Sequence, residues 1–414
     1  MEKKIDLSVV ITVYNIEKYI GECIDSVLDD KGINIEVILV NDASTDSSLE
    51  ICKQYAKHND GIVVIENEVN KGITASRNAG LRAAKGEYVY VIDGDDLVVQ
   101  GSCTSMYRIC KENNLDLLEF SADVFYESDD MKQYCSDEEY YIQKYMLNQV
   151  ESGPALFAQS QKNYDARWGN SCLRCIRTEL LQSKGLYFVE GLRYADGSGF
   201  HLYMAAERAM VIPDVFYSRR VRNNSQVTST PKFYYLESLI ILFIEELKIW
   251  DTYAFPEKIN RGIECYFRRT NRQIKDLYQQ FKGRNNDYSL FLKHPAARYY
   301  YEYNIKEKSL CVDFITKEEA ELYKSKDIIY IYGAGFYASQ LSDVFDYYGI
   351  NYEYIVTDKT KNPETVRNKV VHGISDMTFL PDDVVFIAIS AIHQASIVEN
   401  LENKGLKDWK QFVF

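Results

Sequence analysis

Between Leu7 and Ile92, four short apolar runs, SVVITVYN, IEVILVND, GIVVIEN and EYVYVID, alternate with stretches whose apolar residues recur at helical spacing, IEKYIGECIDSVLDD, SSLEICKQYAKH and TASRNAGLRAAK. Strands that are apolar almost throughout must be covered on both faces, and a crossover helix between successive strands makes them parallel. The pattern therefore predicts a doubly wound α/β sheet. In such sheets ligands sit outside the carboxyl ends of the strands, which directs attention to the loops TVYN, NDASTD, NEVNKGIT and DGDD. Ser47 followed three residues later by Glu50 predicts a capping box at the start of the second helix.

With 414 residues, 46% of them hydrophobic, the chain has material for more than one packed core. A formal net charge of −13 leaves no electrostatic footprint for nucleic acid, so an anionic ligand has to be held by local features or by a metal ion. Nine cysteines scattered through the sequence fit reduced thiols in a cytoplasmic protein better than a disulfide framework. Cys172 and Cys175 form a CxxC, but no second pair completes a zinc site, and both read as core. The opening MEKKIDLSVVITVYN leads straight into strand pattern rather than a signal peptide, and no apolar run is long enough for a membrane span.

Three regions are expected. Residues 1–230 hold the α/β pattern and mixed elements after it, including an acidic stretch, ESDDMKQYCSDEE, that reads as a solvated surface insertion. Residues 231–325 turn helical and rich in Tyr and Phe. Their strongest apolar segment, YYLESLIILFIEELKIW, is expected in a core or a dimer seam rather than against a membrane, because an anionic bilayer would repel Glu237, Glu245 and Glu246. Residues 326–414 alternate strand and helix again, as a small Rossmann-like unit.

The run YVYVIDGDDL places three carboxylates around one glycine at the end of a buried strand. Residues two apart on a strand face the same way, so Asp93 and Asp95 converge on one point, with Gly94 permitting close backbone approach. Like charges held so close repel unless a cation lies between them, and an oxygen-preferring ion, Mg²⁺ or Mn²⁺, is the expected occupant. Such an ion is commonly completed by substrate phosphates, which turns an acidic cluster into a phosphate site. A calcium-binding helix-loop-helix is ruled out, since Leu97 and Val98 stand where its third ligand and glycine belong. An acidic turn without metal is the other reading.

The order TVYN, NDASTD, NKGITASRNAGL, YVYVIDGDD resembles the nucleotide-sugar domain of the large inverting glycosyltransferase family, A-type in fold and family 2 in classification, that builds bacterial capsules, lipopolysaccharides and teichoic acids. The likeness extends through WGNSCLRC, GLYFVEGLRYADG and VIPDVFYSRRVRNNSQVTS to about residue 230. It implies a nucleotide-sugar donor, a Mn²⁺ or Mg²⁺ cofactor and a glycan or lipid-linked acceptor. A homo-oligomer and peripheral attachment to the inner face of the membrane are compatible with it. By the same likeness Thr12, Val13 and Tyr14 would line the nucleotide, and Asp42 would accept a hydrogen bond from the uracil imide, favouring a UDP-sugar. Lys71 and Arg77 would lie on the nucleotide and diphosphate side. Asp93, with Gly94, would touch ribose or metal, and Asp95 would be the main metal ligand. The family's base belongs to a Glu-Asp pair, to which GLRYADGSGF corresponds: Asp196 matches the Asp, while Ala195 stands in place of the Glu. Trp168, His201, Arg219 and Arg222 fall where the family builds its acceptor side.

Near the C-terminus, YGAGFYASQL has Gly333, Gly335 and Ala338 between a strand and a helix, with Asp358 after the next strand, the context of a dinucleotide fingerprint. Residues 326–414 make only half of a full dinucleotide domain, and a tight strand-to-helix turn calls for glycine anyway. A ligand there and a structural or docking role both stay open. Sugar nucleotidyltransferases share the doubly wound start but carry a glycine-rich loop where this chain has TVYNIEKYIG. An oxidoreductase centred on the C-terminal unit, or a catalytically silent nucleotide-sugar module, which Ala195 would suit, are the remaining alternatives.

Overall fold

The computed structural model describes residues 4–134, 141–144, 146–162, 170–192, 199–223, 225, 232–282, 284, 290–301, 317–334, 336–357, 364–380, 382–388, 397, 401–406 and 408–411. The chain divides into two compact units, one made of Met1–Leu242 with Pro256–Arg269 and the other of Phe243–Phe255 with Thr270–Phe414.

In the first unit the elements are β1 (Leu7–Val13), α1 (Ile20–Leu28), β2 (Ile35–Asn41), α2 (Ser48–His58), β3 (Ile62–Glu66), α3 (Ile73–Ala83), β4 (Tyr88–Asp93), β5 (Leu97–Val98), α4 (Ser102–Glu112), β6 (Leu117–Tyr126), α5 (Gly153–Lys162), β7 (Arg174–Arg177), α6 (Thr178–Lys184), α7 (Gly199–Ala205) and β8 (Ala209–Val221). They form an eight-stranded mixed sheet in the order β3-β2-β1-β4-β7-β6-β8-β5. β3, β2, β1 and β4 run parallel, as the alternation of apolar strand and helix requires. The sheet's core is filled by the strands' own residues, such as Val9, Ile11, Tyr90 and Ile92, against Ile20, Ile24 and Cys103 of α1 and α4. Cys172 and Cys175 are free, buried thiols within that core.

One local expectation fails. α2 does start after Ser47, but Ser47 makes no side-chain cap bond, so the capping box with Glu50 does not form. Asp46 accepts from the Ser48 N–H at 3.0 Å instead, and the Ser47 N–H goes to Glu17 across the loops at 2.8 Å. A partner on another loop has displaced the local one.

The chain continues with α8 (Phe233–Trp250), α9 (Glu257–Gln279), α10 (Pro295–Tyr300), α11 (Lys317–Lys324), β9 (Ile329–Tyr332), α12 (Phe336–Tyr348), β10 (Tyr352–Val356), β11 (Thr365–Val366), β12 (Lys369–Gly373), β13 (Val384–Ile387) and β14 (Asp408–Gln411). α8 is a core helix: Leu236, Ile240 and Phe243 are fully buried, and Glu237 and Glu246 are buried with them rather than solvated. Among the described residues no helix is long and apolar enough to cross a membrane. The second unit's sheet has the order β11-β12-β10-β9-β13-β14, parallel except for β11. Gly333, the residue after β9, has φ of 114° and donates its N–H to the Ile355 carbonyl at 2.8 Å, so the strand ends in a turn that needs glycine. Gly335 and Asp358 lie outside the described residues.

Candidate functional site

The register of β1 against β4 sets Thr12 beside Asp93, and that of β1 against β2 sets Val13 beside Asn41. All three strands therefore end on one rim. Val13 is buried beneath it, whereas Tyr14 is 49% exposed on top of it.

The first two loops are fastened to each other. Asn15 Oδ1 accepts from the Thr45 N–H at 2.8 Å, Ser48 Oγ from the Ile16 N–H at 2.9 Å and Asp46 Oδ2 from the Glu17 N–H at 3.0 Å. Burial alone would raise the Asp46 carboxyl, but the bonds from Ser48 and Glu17 hold it below the ordinary carboxylate range. Asp42, buried, organises the third loop: its Oδ1 accepts from Asn67 Nδ2 and the Lys71 N–H, each at 2.9 Å, and its Oδ2 from the Gly72 N–H at 2.8 Å. The Lys71 side chain itself is exposed.

Gly94 fits only without a side chain, since a Cβ there would lie 2.8 Å from the Thr12 carbonyl oxygen and 2.6 Å from Ile16 Cδ1. Its N–H donates to that same carbonyl at 3.1 Å, which pins the acidic turn to the end of β1.

The three carboxylates have three different surroundings. Asp93 Oδ1 accepts from Arg77 at 2.8 Å and from Thr12 Oγ1 at 3.4 Å. Arg77 is buried on α3, 2% exposed, with its guanidinium 5.4 Å from the centre of the Phe188 ring, so it is not a solvated helix-face charge. Asp95 Oδ2 accepts from Arg222 Nε at 2.8 Å and pairs with its second nitrogen at 2.7 Å. Burial raises the Asp95 carboxyl; Arg222 pulls the other way, and Asp93 adds to the rise. Asp96 is buried and structural. It accepts from the Tyr217 hydroxyl and, at 2.6 Å, from the Arg220 N–H, tying the turn to β8, whose Tyr217 and Ser218 pair with Val98 and Leu97. Burial, then Asp95 and Asp93, push its carboxyl well above the ordinary range.

At this turn Arg77 and Arg222 supply countercharge to Asp93 and Asp95. Among the described residues no group of three or more His, Cys, Asp or Glu side chains is arranged around a metal position. The donor set still suits a magnesium-like ion, which is commonly held by one or two carboxylates and completed by phosphate oxygens and water. Asp93 and Asp95 each keep one carboxylate oxygen outside the bonds just described, on side chains 31% and 21% exposed.

Of the residues expected on the acceptor side, Arg222 is joined to the acidic turn. Arg219 donates to the Tyr141 hydroxyl at 2.6 Å, and His201 sits half-buried on α7. Trp168 and Asp196 lie outside the described residues. The segment leading toward Asp196 is nevertheless anchored: Asn78 Nδ2 donates to the Phe188 carbonyl at 2.9 Å and to Glu190 Oε1 at 3.1 Å, and the Phe188 N–H donates back to Asn78 Oδ1 at 2.9 Å. Asn78 went unnoticed in the sequence. The available signal was the run Thr74, Arg77, Asn78, Leu81, a helix face at core spacing that carries polar groups.

Residues 8–163 match the family model described as glycosyl transferase family 2. The chain is 33% identical over 222 residues to an uncharacterized glycosyltransferase, EpsJ, of Bacillus subtilis, covering 53% of this chain and 62% of that protein. It is 43% identical over 114 residues to the poly(ribitol-phosphate) beta-glucosyltransferase of Bacillus spizizenii, covering 27% of this chain and 18% of that one. Among solved structures, S. aureus TarS 1-349 in complex with UDP-GlcNAc is similar with a TM-score of 0.49 and 22% identity, covering 68% of this chain and 74% of that one. The segment that matches this family model, residues 8–163, supplies Thr12, Asp42, Arg77, Asp93 and Asp95.

Proposed function

We propose that this protein transfers a sugar, with inversion, from a nucleoside diphosphate donor to a hydroxyl of a glycan or polyol-phosphate acceptor in the synthesis of a cell-surface polymer. The observation that carries the reading is the rim itself. Asp93 and Asp95 stand at the carboxyl end of β4, charge-balanced by arginines, on the rim where β1 ends before the exposed Tyr14, and on a segment that matches a glycosyltransferase family. The poly(ribitol-phosphate) relative supports the acceptor class.

In this reading Tyr14 flanks the base, with Val13 supporting it from beneath the rim, and Lys71 faces the diphosphate. Asp42 Oδ2 takes one N–H from the protein and keeps acceptor capacity for a uracil imide, which favours a UDP-sugar. Asp93 and Asp95 would hold Mn²⁺ or Mg²⁺, which when bound neutralises charge on the departing diphosphate. Asp196 takes the proton of the acceptor hydroxyl as its oxygen bonds to the anomeric carbon, while the bond from that carbon to the diphosphate oxygen breaks and the nucleoside diphosphate leaves. A lipid-linked acceptor would bring the protein to the cytoplasmic face of the membrane.

Ala195, in place of the family's Glu, favours a second reading, a catalytically silent nucleotide-sugar module. Thermal shift across UDP-, GDP-, CDP- and dTDP-sugars with and without Mn²⁺ tests donor choice, since a ligand of the folded state raises the melting temperature. With the donor found, turnover separates the two readings. Asp196→Asn should cost about 10²- to 10⁴-fold in rate, whereas equal residual rates in the two proteins would leave the silent module standing.

A further inference from the structure

We propose that Arg222 is the resident counter-cation of Asp95, and that it makes a divalent ion and a diphosphate enter the site together rather than singly. The inference rests on the reading that Asp95 holds the metal, and goes beyond it by assigning the residue that couples the two ligands.

Asp93 and Asp95 are matched one for one by Arg77 and Arg222, so the site is balanced as it stands. A divalent ion alone would have to enter against both guanidinium groups, and a diphosphate alone against both carboxylates. Only the pair of ligands leaves the balance nearly unchanged.

The two arginines differ in their freedom to respond. Arg77 is 2% exposed and packs against Phe188 in the body of the domain. Arg222 follows the last residue of β8 and is 16% exposed, lying 5.1 Å from the centre of the Tyr19 ring and donating to the carbonyl of its own neighbour, Asn223, at 3.2 Å. Its neighbour Arg220 is committed elsewhere, to Glu22 at 2.6 Å and the Asp95 carbonyl at 2.9 Å. Arg222 is thus the cation that can leave the carboxylate and turn its planar fork to phosphate oxygens, a geometry a guanidinium matches bidentately. The swap replaces one ion pair, Arg222 with Asp95, by two: Asp95 with the incoming ion and Arg222 with the diphosphate.

The test is Mn²⁺ binding followed by electron paramagnetic resonance of the free ion, with and without UDP, so that no turnover is needed. In the wild-type protein Mn²⁺ alone should bind weakly, and saturating UDP should tighten it strongly. In Arg222→Ala, Mn²⁺ alone should bind about tenfold tighter, as expected for removing a like charge at short range in a partly screened site, and the tightening by UDP should fall by at least that factor. Arg222→Lys, which keeps the charge, should retain most of the coupling. Arg222→Gln, whose stem can still pack on Tyr19, gives the same reading should the alanine variant not fold. Equal coupling in the wild type and the neutral variants would overturn the proposal. Asp95→Asn separates this from failure of the underlying reading: if it leaves Mn²⁺ binding untouched, the metal assignment itself is wrong, whereas if it abolishes binding while the Arg222 variants change nothing, only the coupling role falls.

Discussion

Asn78 and Phe188, 110 positions apart, bond to one another as two strand residues would: the amide of the one donates to the carbonyl of the other at 2.9 Å, and the backbone N–H is returned to the amide oxygen at 2.9 Å. The same side chain reaches Glu190 at 3.1 Å. α3 thereby holds two things at once, the Asp93 carboxylate through Arg77 and the segment leading toward Asp196 through Asn78. Asn78→Ala leaves a buried N–H and C=O of Phe188 unpaired, and should cost about 2–4 kcal/mol of stability by denaturant unfolding. Turnover of the folded fraction should fall further than its affinity for UDP, because the donor side keeps its own anchor. Unchanged stability would mean that the clamp is not formed.

Gly94→Ala tests the fit of the acidic turn. The added Cβ would meet the Thr12 carbonyl at 2.8 Å, and backbone cannot yield as a flexible side-chain end can. The variant should lose about 1–3 kcal/mol, the usual cost of overpacking, together with UDP binding measured calorimetrically. A variant as stable as the wild type, binding UDP equally well, would show that the turn has room to spare.

Glu87, immediately before β4, provides a pH test remote from the rim. Burial would raise its carboxyl, but Lys111 at 2.5 Å and Lys4 at 2.8 Å override it and hold it at about 2. A depressed carboxyl stabilises the fold above its unfolded pKa, near 4.5, and that stabilisation is lost as the pH falls toward 2. Because both lysines are exposed, solvent screening limits the effect to about 1 kcal/mol. Urea unfolding of Glu87→Gln should therefore show a deficit of that size at pH 7 that shrinks at pH 3, whereas a deficit independent of pH would exclude the linkage.

The sequence made the first sheet legible because strand and helix periods are local properties. SVVITVYN and YVYVID read as buried strands and are β1 and β4, and the rim loops follow from their ends. The partners of Asp95 and Asp96 were not legible, since they come from far along the chain. Arg222 stands 127 positions from Asp95, and Tyr217 stands 121 from Asp96. The expected capping box fails for the same reason, because Glu17 accepts the Ser47 N–H from another loop. Glu237 and Glu246 lie inside with the apolar residues of α8.

The most direct measurement is anomalous diffraction at the manganese edge from crystals of the protein with UDP and Mn²⁺. The account predicts a single strong peak within bonding distance of Asp95, bridging to the diphosphate, with Arg222 moved from the carboxylate onto phosphate oxygens. A peak remote from Asp93 and Asp95, or a nucleotide bound away from the rim formed by β1, β2 and β4, would contradict it.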